Sequence, residues 1–300
     1  MEFLGKLNDY LADDAIFEIS IDSYHEVYLH SKEGWKRVHP FTSKEELLKI
    51  TTGLKEFCSI KEPVHSGYLN EFVSFSLVQA PLSLKGDSLR ILKLSKSAYD
   101  LTQYRKWQAI DEESEKVLKD VLKSKKGILC AGDFGSGKTT LFNVLINSLP
   151  QDESLVVIES EPGLTIHRER VSRIMPRGRS DHHIPEAIDA ASRMQGDTIA
   201  LSWMGERWAS PFMDLLKNNA RGIAVVGGHS PENTLSRLLR QTVISSDGYN
   251  LEEAASVLHE VFQVIVYQEK SEDERRVVTH IDEIVIKGGE LSLKPLYQKK

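Results

Sequence analysis

The stretch Gly132-Asp133-Phe134-Gly135-Ser136-Gly137-Lys138-Thr139 matches the pattern of a phosphate-binding loop, G-x-x-x-x-G-K-[ST]. An apolar run at residues 127–131 precedes it and a helical pattern reaching about Leu149 follows it, which is the context that such a loop requires. Its glycines allow backbone N–H groups to turn toward a phosphate, and the helix N-terminus adds partial positive charge. The sequence therefore predicts a nucleotide-binding site whose residues are Gly132, Gly135, Ser136, Gly137, Lys138, Thr139 and Thr140.

Two side chains of this loop have a predicted chemical role. Lys138 supplies a positive charge for the β and γ phosphates, and the Thr139 hydroxyl can hold the magnesium ion that accompanies ATP. The expected cofactors are therefore ATP and Mg²⁺. A phosphate loop alone does not decide between hydrolysis, phosphoryl transfer to a second substrate, and binding without turnover.

Strands and helices alternate on the carboxy-terminal side of the loop. Apolar runs at residues 155–158, 198–203 and 222–226 are predicted strands, and residues 184–194 are a predicted helix. This alternation predicts an α/β domain with a largely parallel, doubly wound sheet over residues 109–300. The last 40 or so residues are predicted to add antiparallel β structure.

The first 108 residues have a different pattern. Short alternating runs predict half-buried antiparallel strands, and Ser43 followed by Glu46 predicts a capping box for a helix that runs toward Phe57. This mixture is typical of a smaller α+β domain. We place the boundary near residue 108, because the hydrophobic spacing loosens there and a helix with acidic residues in its first turn follows. A chain of 300 residues is long enough for both domains.

Composition narrows the function classes. Lys+Arg 38 against Asp+Glu 44 gives a formal charge of -6, which argues against direct nucleic-acid binding. Only Cys58 and Cys130 are present, so neither a disulfide framework nor a thiolate zinc cage is expected, and a reducing compartment fits best. We expect neither a signal peptide nor a transmembrane helix, because charged and polar residues interrupt the apolar runs.

Three further candidates follow predicted strands: Glu159, Glu206 and His229. Because ligands bind at the carboxyl ends of parallel strands, all three are expected at the nucleotide edge of the sheet. Either carboxylate could orient water or metal, and the histidine could sense the γ-phosphate. The ordinary alternatives are a solvated loop carboxylate for each glutamate and a structural hydrogen-bond partner for the histidine.

The loop, Gly205-Glu206-Arg207 and Gly228-His229, in this order, resemble the ATPases of type II and type IV secretion and pilus assembly. That family carries a Walker A loop, an acidic box, a Walker B motif ending in Gly-Glu and a histidine box. Residues 262–266 and 275–284 resemble its carboxy-terminal hairpin. Since the chain lacks a four-cysteine zinc insertion, the resemblance points to the compact type IV secretion or tight-adherence-pilus branch.

The resemblance implies a RecA-like P-loop ATPase domain preceded by a smaller α+β amino-terminal domain. It implies a homo-hexameric motor that couples ATP hydrolysis to inter-domain motion, with Glu206, Glu159, His229 and Lys138 as catalytic residues. Arg193 and Arg90 are the phosphate or intersubunit candidates that it suggests. The chain departs from the family at Ser160, where an aspartate is usual.

The same resemblance implies inner-membrane secretion or pilus components as partners, and a cytoplasmic location peripheral to the inner face of the cell membrane. Because the acidic box is altered, a nucleotide-binding scaffold or regulator with little or no hydrolysis is the main alternative, and a P-loop kinase is a third. A basic segment, residues 167–183, is interpreted as a solvated or intersubunit face, as an arginine source for a neighbour's nucleotide, or as a zinc or nucleic-acid site.

Overall fold

The computed structural model describes residues 1–97, 99–176, 183–217, 220–271 and 273–299, which form two compact units. The first unit contains residues 1–97 and 161–165, and the second contains residues 98–160 and 166–300. The chain therefore passes between the units three times. Among the described residues, no helix combines the length and the apolar character needed to cross a membrane.

The first unit is built on a six-stranded antiparallel sheet in the order β3-β2-β1-β6-β5-β4. Its strands are β1 Ile16–Ser23, β2 Glu26–Ser31, β3 Gly34–Val38, β4 Val64–Asn70, β5 Val73–Val78 and β6 Ser88–Lys93. Its helices are a 3₁₀ turn Glu2–Leu4, α1 Leu7–Ala12 and α2 Lys44–Cys58. Ile19 and Ile21 of β1 share one buried cluster with Leu47 and Leu54 of α2, which confirms the predicted α+β packing.

The start of α2 differs in detail from the predicted capping box. Ser43 is the N-cap residue, but its side chain makes no capping hydrogen bond. Glu46 instead accepts hydrogen bonds from the backbone N–H of Thr42, at 2.9 Å, and from its hydroxyl, at 2.9 Å. The helix was predicted correctly, but the residue that pairs with Glu46 is one position earlier.

The second unit is built on an eight-stranded sheet in the order β14-β13-β12-β7-β11-β10-β8-β9. Its strands are β7 Ile128–Gly132, β8 Leu155–Ile158, β9 Val171–Ile174, β10 Thr198–Leu201, β11 Arg221–Gly227, β12 Val264–Lys270, β13 Arg276–Lys287 and β14 Glu290–Gln298. Neighbours from β12 to β9 are parallel, whereas β13 and β14 continue the sheet antiparallel. The predicted parallel sheet with an antiparallel end is confirmed.

The helices of the second unit pack against this sheet and bury its strands. They are α3 Leu101–Lys106, α4 Glu112–Lys123, α5 Lys138–Asn147, α6 His183–Met194, α7 Ala209–Leu216, α8 Pro231–Ser245 and α9 Leu251–Val261. Every residue of β7, β8 and β10 is buried, as expected for parallel strands covered by helices. Sequence reasoning missed α8 and α9, although Ser230 and Asn250 cap their first turns with side-chain hydrogen bonds.

The units divide between residues 97 and 98, earlier than the boundary expected near residue 108. Helix α3 belongs to the second unit, because the backbone N–H of Leu101 donates to the Ser148 hydroxyl at 3.1 Å. The Tyr104 hydroxyl, from the same helix, donates to Gln268 of β12 at 2.5 Å. These polar bonds attach to the second unit a helix whose loose hydrophobic spacing placed it before the expected boundary near residue 108.

Candidate nucleotide-binding site

The phosphate loop joins β7, which ends at Gly132, to α5, which begins at Lys138. Gly135 and Gly137 have φ values of 76° and 86°, a region that side chains disfavour, so the loop needs glycine at both positions. Lys138 Nζ donates to the Asp133 carbonyl oxygen at 2.6 Å. Burial lowers the pKa of Lys138, since desolvation penalises its charged form. The lysine is therefore folded back over the loop.

A buried glutamine supports the loop through a hydrogen bond to its backbone. Gln268 of β12 is fully buried, and its Nε2 donates to the Ser136 carbonyl oxygen at 2.6 Å. Its backbone carbonyl lies so close to Gly132 that a Cβ there would come within 2.3 Å. Sequence reasoning missed this residue, whose only signal is a polar side chain at the end of an apolar run.

His229 contacts the loop directly. Its Nδ1 lies 2.9 Å from Oδ2 of Asp133, the second residue of the loop motif. The hydrogen bond from His229 lowers the pKa of the Asp133 carboxyl. The turn between β11 and α8 holds the histidine, because its backbone N–H donates to Oδ1 of Asn233 at 3.2 Å. Asp133 was not among the predicted site residues, since its position in the motif accepts any residue.

Glu159 follows β8 and is buried, with 1% of its surface exposed. The Nε of Arg173, on the adjacent strand β9, donates to Oε1 of Glu159 at 2.5 Å. The next residue, Ser160, lies where the family usually has aspartate. Its backbone N–H donates to the Ser202 hydroxyl at 3.0 Å, which binds it to the end of β10.

Glu206 begins a 3₁₀ turn, Glu206–Trp208, that follows β10, and its side chain is exposed. The preceding turn is fixed to β11, because the Met204 N–H donates to the Val225 carbonyl oxygen at 2.8 Å. Whereas the Glu159 carboxylate is buried in an ion pair, that of Glu206 faces solvent. The two candidate carboxylates thus have opposite environments.

The strands that precede these groups are neighbours in the order β7-β11-β10-β8, and all four run parallel. Their carboxyl ends therefore lie on one edge of the sheet. This edge carries the phosphate loop, His229, Glu206 and Glu159. Of the carboxylate and histidine candidates, only His229 has a hydrogen bond to the loop among the contacts of the described residues.

The two arginine candidates belong to different units. Arg193, near the end of α6, is exposed, and its Nε donates to Oδ2 of Asp189 one helical turn earlier at 2.9 Å. Arg90, on β6 of the first unit, is also exposed and forms an ion pair with Glu18. Among the described residues, Arg193 has no contact with the phosphate loop of its own unit.

The basic segment is only partly described, since Arg177, Arg179 and His182 lie outside the described residues. Arg168 has a structural role, because its guanidinium donates to the carbonyl oxygens of Leu149 at 2.9 Å and Pro150 at 2.7 Å. These carbonyls follow the end of α5. Arg170 donates to the Asp152 carbonyl oxygen and Arg173 pairs with Glu159, so the three described arginines of the segment are bound within the second unit.

The loop fits a nucleotide with magnesium. The Ser136 hydroxyl is buried without a hydrogen-bond partner among the described residues, so it is open to a ligand oxygen. Thr139 is exposed in the first turn of α5. Mg²⁺ in nucleotide sites usually takes one or two protein ligands together with phosphates and waters, so one hydroxyl suffices. In the described parts of the chain, no group of three or more His, Cys, Asp or Glu side chains could hold a metal by itself.

Comparison with known proteins identifies the family of this chain. A family model described as "Type II/IV secretion system protein" matches residues 67–258. The type IV secretion system protein VirB11 of Bartonella henselae is 27% identical over 241 residues, which cover 66% of this chain and 68% of that protein.

Two solved structures share the fold. The pilus retraction motor PilT, with bound ADP, aligns over 94% of this chain and 82% of its own, with 13% identity and a TM-score of 0.67. The ATPase DotB of Legionella pneumophila aligns over 96% and 81%, with 14% identity and a TM-score of 0.65. The predicted fold class, a RecA-like domain after a smaller α+β domain, is confirmed.

Proposed function

We propose the following function for this chain, which belongs to the family of type II/IV secretion system proteins: it hydrolyses magnesium-bound ATP at its phosphate loop and thereby drives a secretion or pilus machine. The chain is an ATPase of this family. The observation that carries the proposal is the contact between His229 and Asp133, which joins the histidine box to the phosphate loop. Such a contact can report whether the γ-phosphate is present.

Binding begins with an exchange at Lys138. Its ammonium donates to the Asp133 carbonyl oxygen, a neutral acceptor, whereas the β and γ phosphates offer charged acceptors that form stronger bonds. The lysine therefore turns to the phosphates when nucleotide enters. The Thr139 hydroxyl would hold the magnesium ion, whose charge would offset that of the phosphates.

Hydrolysis needs a water aligned with the γ-phosphorus. We assign Glu206 to orient it, because its carboxylate is exposed on the loop's edge of the sheet. The water oxygen forms a bond to phosphorus as its proton passes to the Glu206 carboxylate, the bond to the β,γ-bridging oxygen breaks, and ADP and inorganic phosphate leave. Glu159, buried against Arg173, positions the neighbouring strand end.

The finer features of the proposal follow the family. The working unit is a homo-hexamer in which exposed arginines, Arg193 and Arg90 among them, serve the phosphates or the subunit contacts. Hydrolysis is coupled to motion between the two domains. The ring acts on secretion or pilus components at the inner face of the cell membrane. The cytoplasmic, membrane-peripheral location belongs to the same proposal.

A phosphate-release assay with magnesium and ATP tests the proposal. Lys138→Ala should abolish release and Glu206→Gln should reduce it by about two orders of magnitude, because the water loses its orienting base. Lys119→Ala, at an exposed position of α4, and Glu252→Gln, at an exposed position of α9, are matched controls that should retain full activity. Undiminished release from both site variants would refute the proposal.

Light-scattering mass measurement with ATP tests the ring separately. A monomer at every protein concentration would contradict the hexamer but would leave the proposed hydrolysis unaffected.

The second candidate, a nucleotide-binding scaffold, is favoured by one observation: Ser160 replaces the usual aspartate and bonds to Ser202. Tight ATP binding without phosphate release, even with membrane partners added, would favour it, and a phosphorylated small molecule would favour a kinase.

A further inference from the structure

A buried chain of hydrogen bonds joins α3 to the phosphate loop. The Tyr104 hydroxyl donates to Oε1 of Gln268 at 2.5 Å, and Nε2 of Gln268 donates to the Ser136 carbonyl oxygen at 2.6 Å. Tyr104 and Gln268 are 2% and 0% exposed. No water competes at such positions, so breaking either bond leaves a buried polar group unpaired.

The glutamine amide has one usable orientation. If it were rotated by 180°, Oε1 would face the Ser136 carbonyl oxygen, and two acceptors would repel each other. The Ser136 carbonyl thus selects the orientation of the amide, and the Tyr104 hydroxyl satisfies the oxygen on its other side. The amide also lies close to the backbone of Gly137, since a Cβ added there would come within 2.8 Å of its Nε2.

The bond to Ser136 sets the direction of a loop N–H group. In a trans peptide the C=O of one residue and the N–H of the next point to opposite sides. Because Gln268 binds the Ser136 carbonyl, the N–H of Gly137 points away from Gln268. That N–H stands directly before Lys138, where loops of this kind present backbone N–H groups to phosphate.

The other end of the chain of bonds lies at the entrance of the second unit. Tyr104 is on α3, which begins four residues after Ser97, the last residue of the long first-unit segment. The helix is short and held at its ends, by the Leu101–Ser148 bond and by the Ala109 N–H, which donates to the Tyr104 carbonyl oxygen at 3.1 Å. A displacement of α3 therefore changes the bond that fixes Gln268.

We propose that Tyr104 and Gln268 are positioning residues that align the Gly137 N–H for phosphate and couple nucleotide affinity to the position of α3. The proposal rests on the nucleotide site proposed above. Both residues are buried beneath the loop backbone, so both act through the Ser136–Gly137 peptide.

Calorimetric titration of the full chain with ADP tests this without requiring turnover. Gln268→Glu places a carboxylate against the Ser136 carbonyl, so near pH 8 the affinity should fall by about 10- to 100-fold. Near pH 6 the deficit should narrow several-fold, because burial raises the pKa of the introduced carboxyl and its protonated form can both donate and accept.

The ionisable groups facing this position do not imitate that pH dependence. They are Tyr104, which binds Gln268, and the two groups that act electrostatically on Tyr104, Cys130 and Arg276. Burial raises the pKa of both the Tyr104 phenol and the Cys130 thiol, and arginine stays charged throughout. Gln268→Leu removes both bonds and should weaken binding equally at both pH values, whereas Tyr104→Phe should weaken it by about 3- to 10-fold.

Matched controls separate positioning from general damage. Gln263→Glu changes a glutamine that also makes two-sided backbone bonds, to Gly127 and His259, at the opposite edge of the sheet. Tyr297→Phe removes a hydroxyl that donates to Asp111 at 2.6 Å. Both should bind ADP like the wild type.

The outcomes are distinct. If the wild type binds ADP and Gln268→Glu binds it equally well, or is weakened to the same degree at both pH values, the positioning role is wrong. If the wild type binds no nucleotide, the proposed function and this inference both fail. Circular dichroism of each variant establishes that it is folded, and Tyr104→Phe provides the test if Gln268→Glu is not.

Discussion

The Nδ1 atom of His229 lies 2.9 Å from Oδ2 of Asp133, although 96 residues separate the two in the chain. The contact exists because β7 and β11 are adjacent parallel strands whose following turns meet at one edge of the sheet. An exposed pair of this kind contributes little to stability. We propose that its role is to sense the γ-phosphate.

His229→Ala should therefore separate activity from stability. We expect phosphate release to fall by about tenfold or more, since the group that we propose to sense the γ-phosphate is lost. The melting temperature should change by less than about 2 °C, because both side chains are exposed. His229→Asn, which places an amide nitrogen near the position of Nδ1, should retain more activity than His229→Ala. Full turnover by His229→Ala would refute the sensing role.

Two loop glycines should respond differently to alanine. In Gly132→Ala the new Cβ would meet the Gln268 carbonyl oxygen at 2.3 Å, so the backbone must shift and urea unfolding should show a loss of about 3 kcal/mol. In Gly135→Ala nothing lies within 4 Å of the new Cβ. Only the positive φ then lowers the free energy of unfolding, by about 1 to 2 kcal/mol. Equal losses would contradict this distinction.

The Glu159–Arg173 pair should show the asymmetry of a buried ion pair. Arg173→Met leaves the buried Glu159 carboxylate without this partner, so the free energy of unfolding should fall by about 3 kcal/mol. Adding Glu159→Gln removes the charge and should recover part of the loss. A double variant no more stable than Arg173→Met alone would show that the pair is not the cause.

Asp282 should make stability depend on pH. Burial raises the pKa of its carboxyl, which is 3% exposed and lies near Glu232 and His280. Above that raised value the folded protein carries a buried charge, which lowers stability. As the pH falls through the folded pKa toward the unfolded value of about 3.9, the folded state gains the proton first and recovers that stability.

Thermal unfolding of Asp282→Asn checks this sign. The variant should melt about 2 °C above the wild type near pH 8, and the difference should shrink as the pH approaches about 4. Asp273→Asn, at an exposed aspartate, is the matched control. A gain that is constant across this pH range would contradict the assignment.

Much of the second unit was predictable because its signals are local. The loop motif, the buried runs of β7, β8 and β10, and the alternation with helices each arise within a few residues. Helix α3 was not predictable in this way. It belongs to the second unit because it bonds to Ser148 and Gln268, which are distant from it in the chain.

By itself, the sequence determined the phosphate loop, the family resemblance and the division into an α+β part followed by an α/β part. These features follow from motif spacing and hydrophobic periodicity, which are properties of neighbouring residues. Only the tertiary structure decided which side chains contact each other at and near the loop. It placed His229 on Asp133, paired Arg173 with Glu159, and put Gln268 beneath Ser136. Strand order sets these contacts, and strand order depends on packing across the whole sheet.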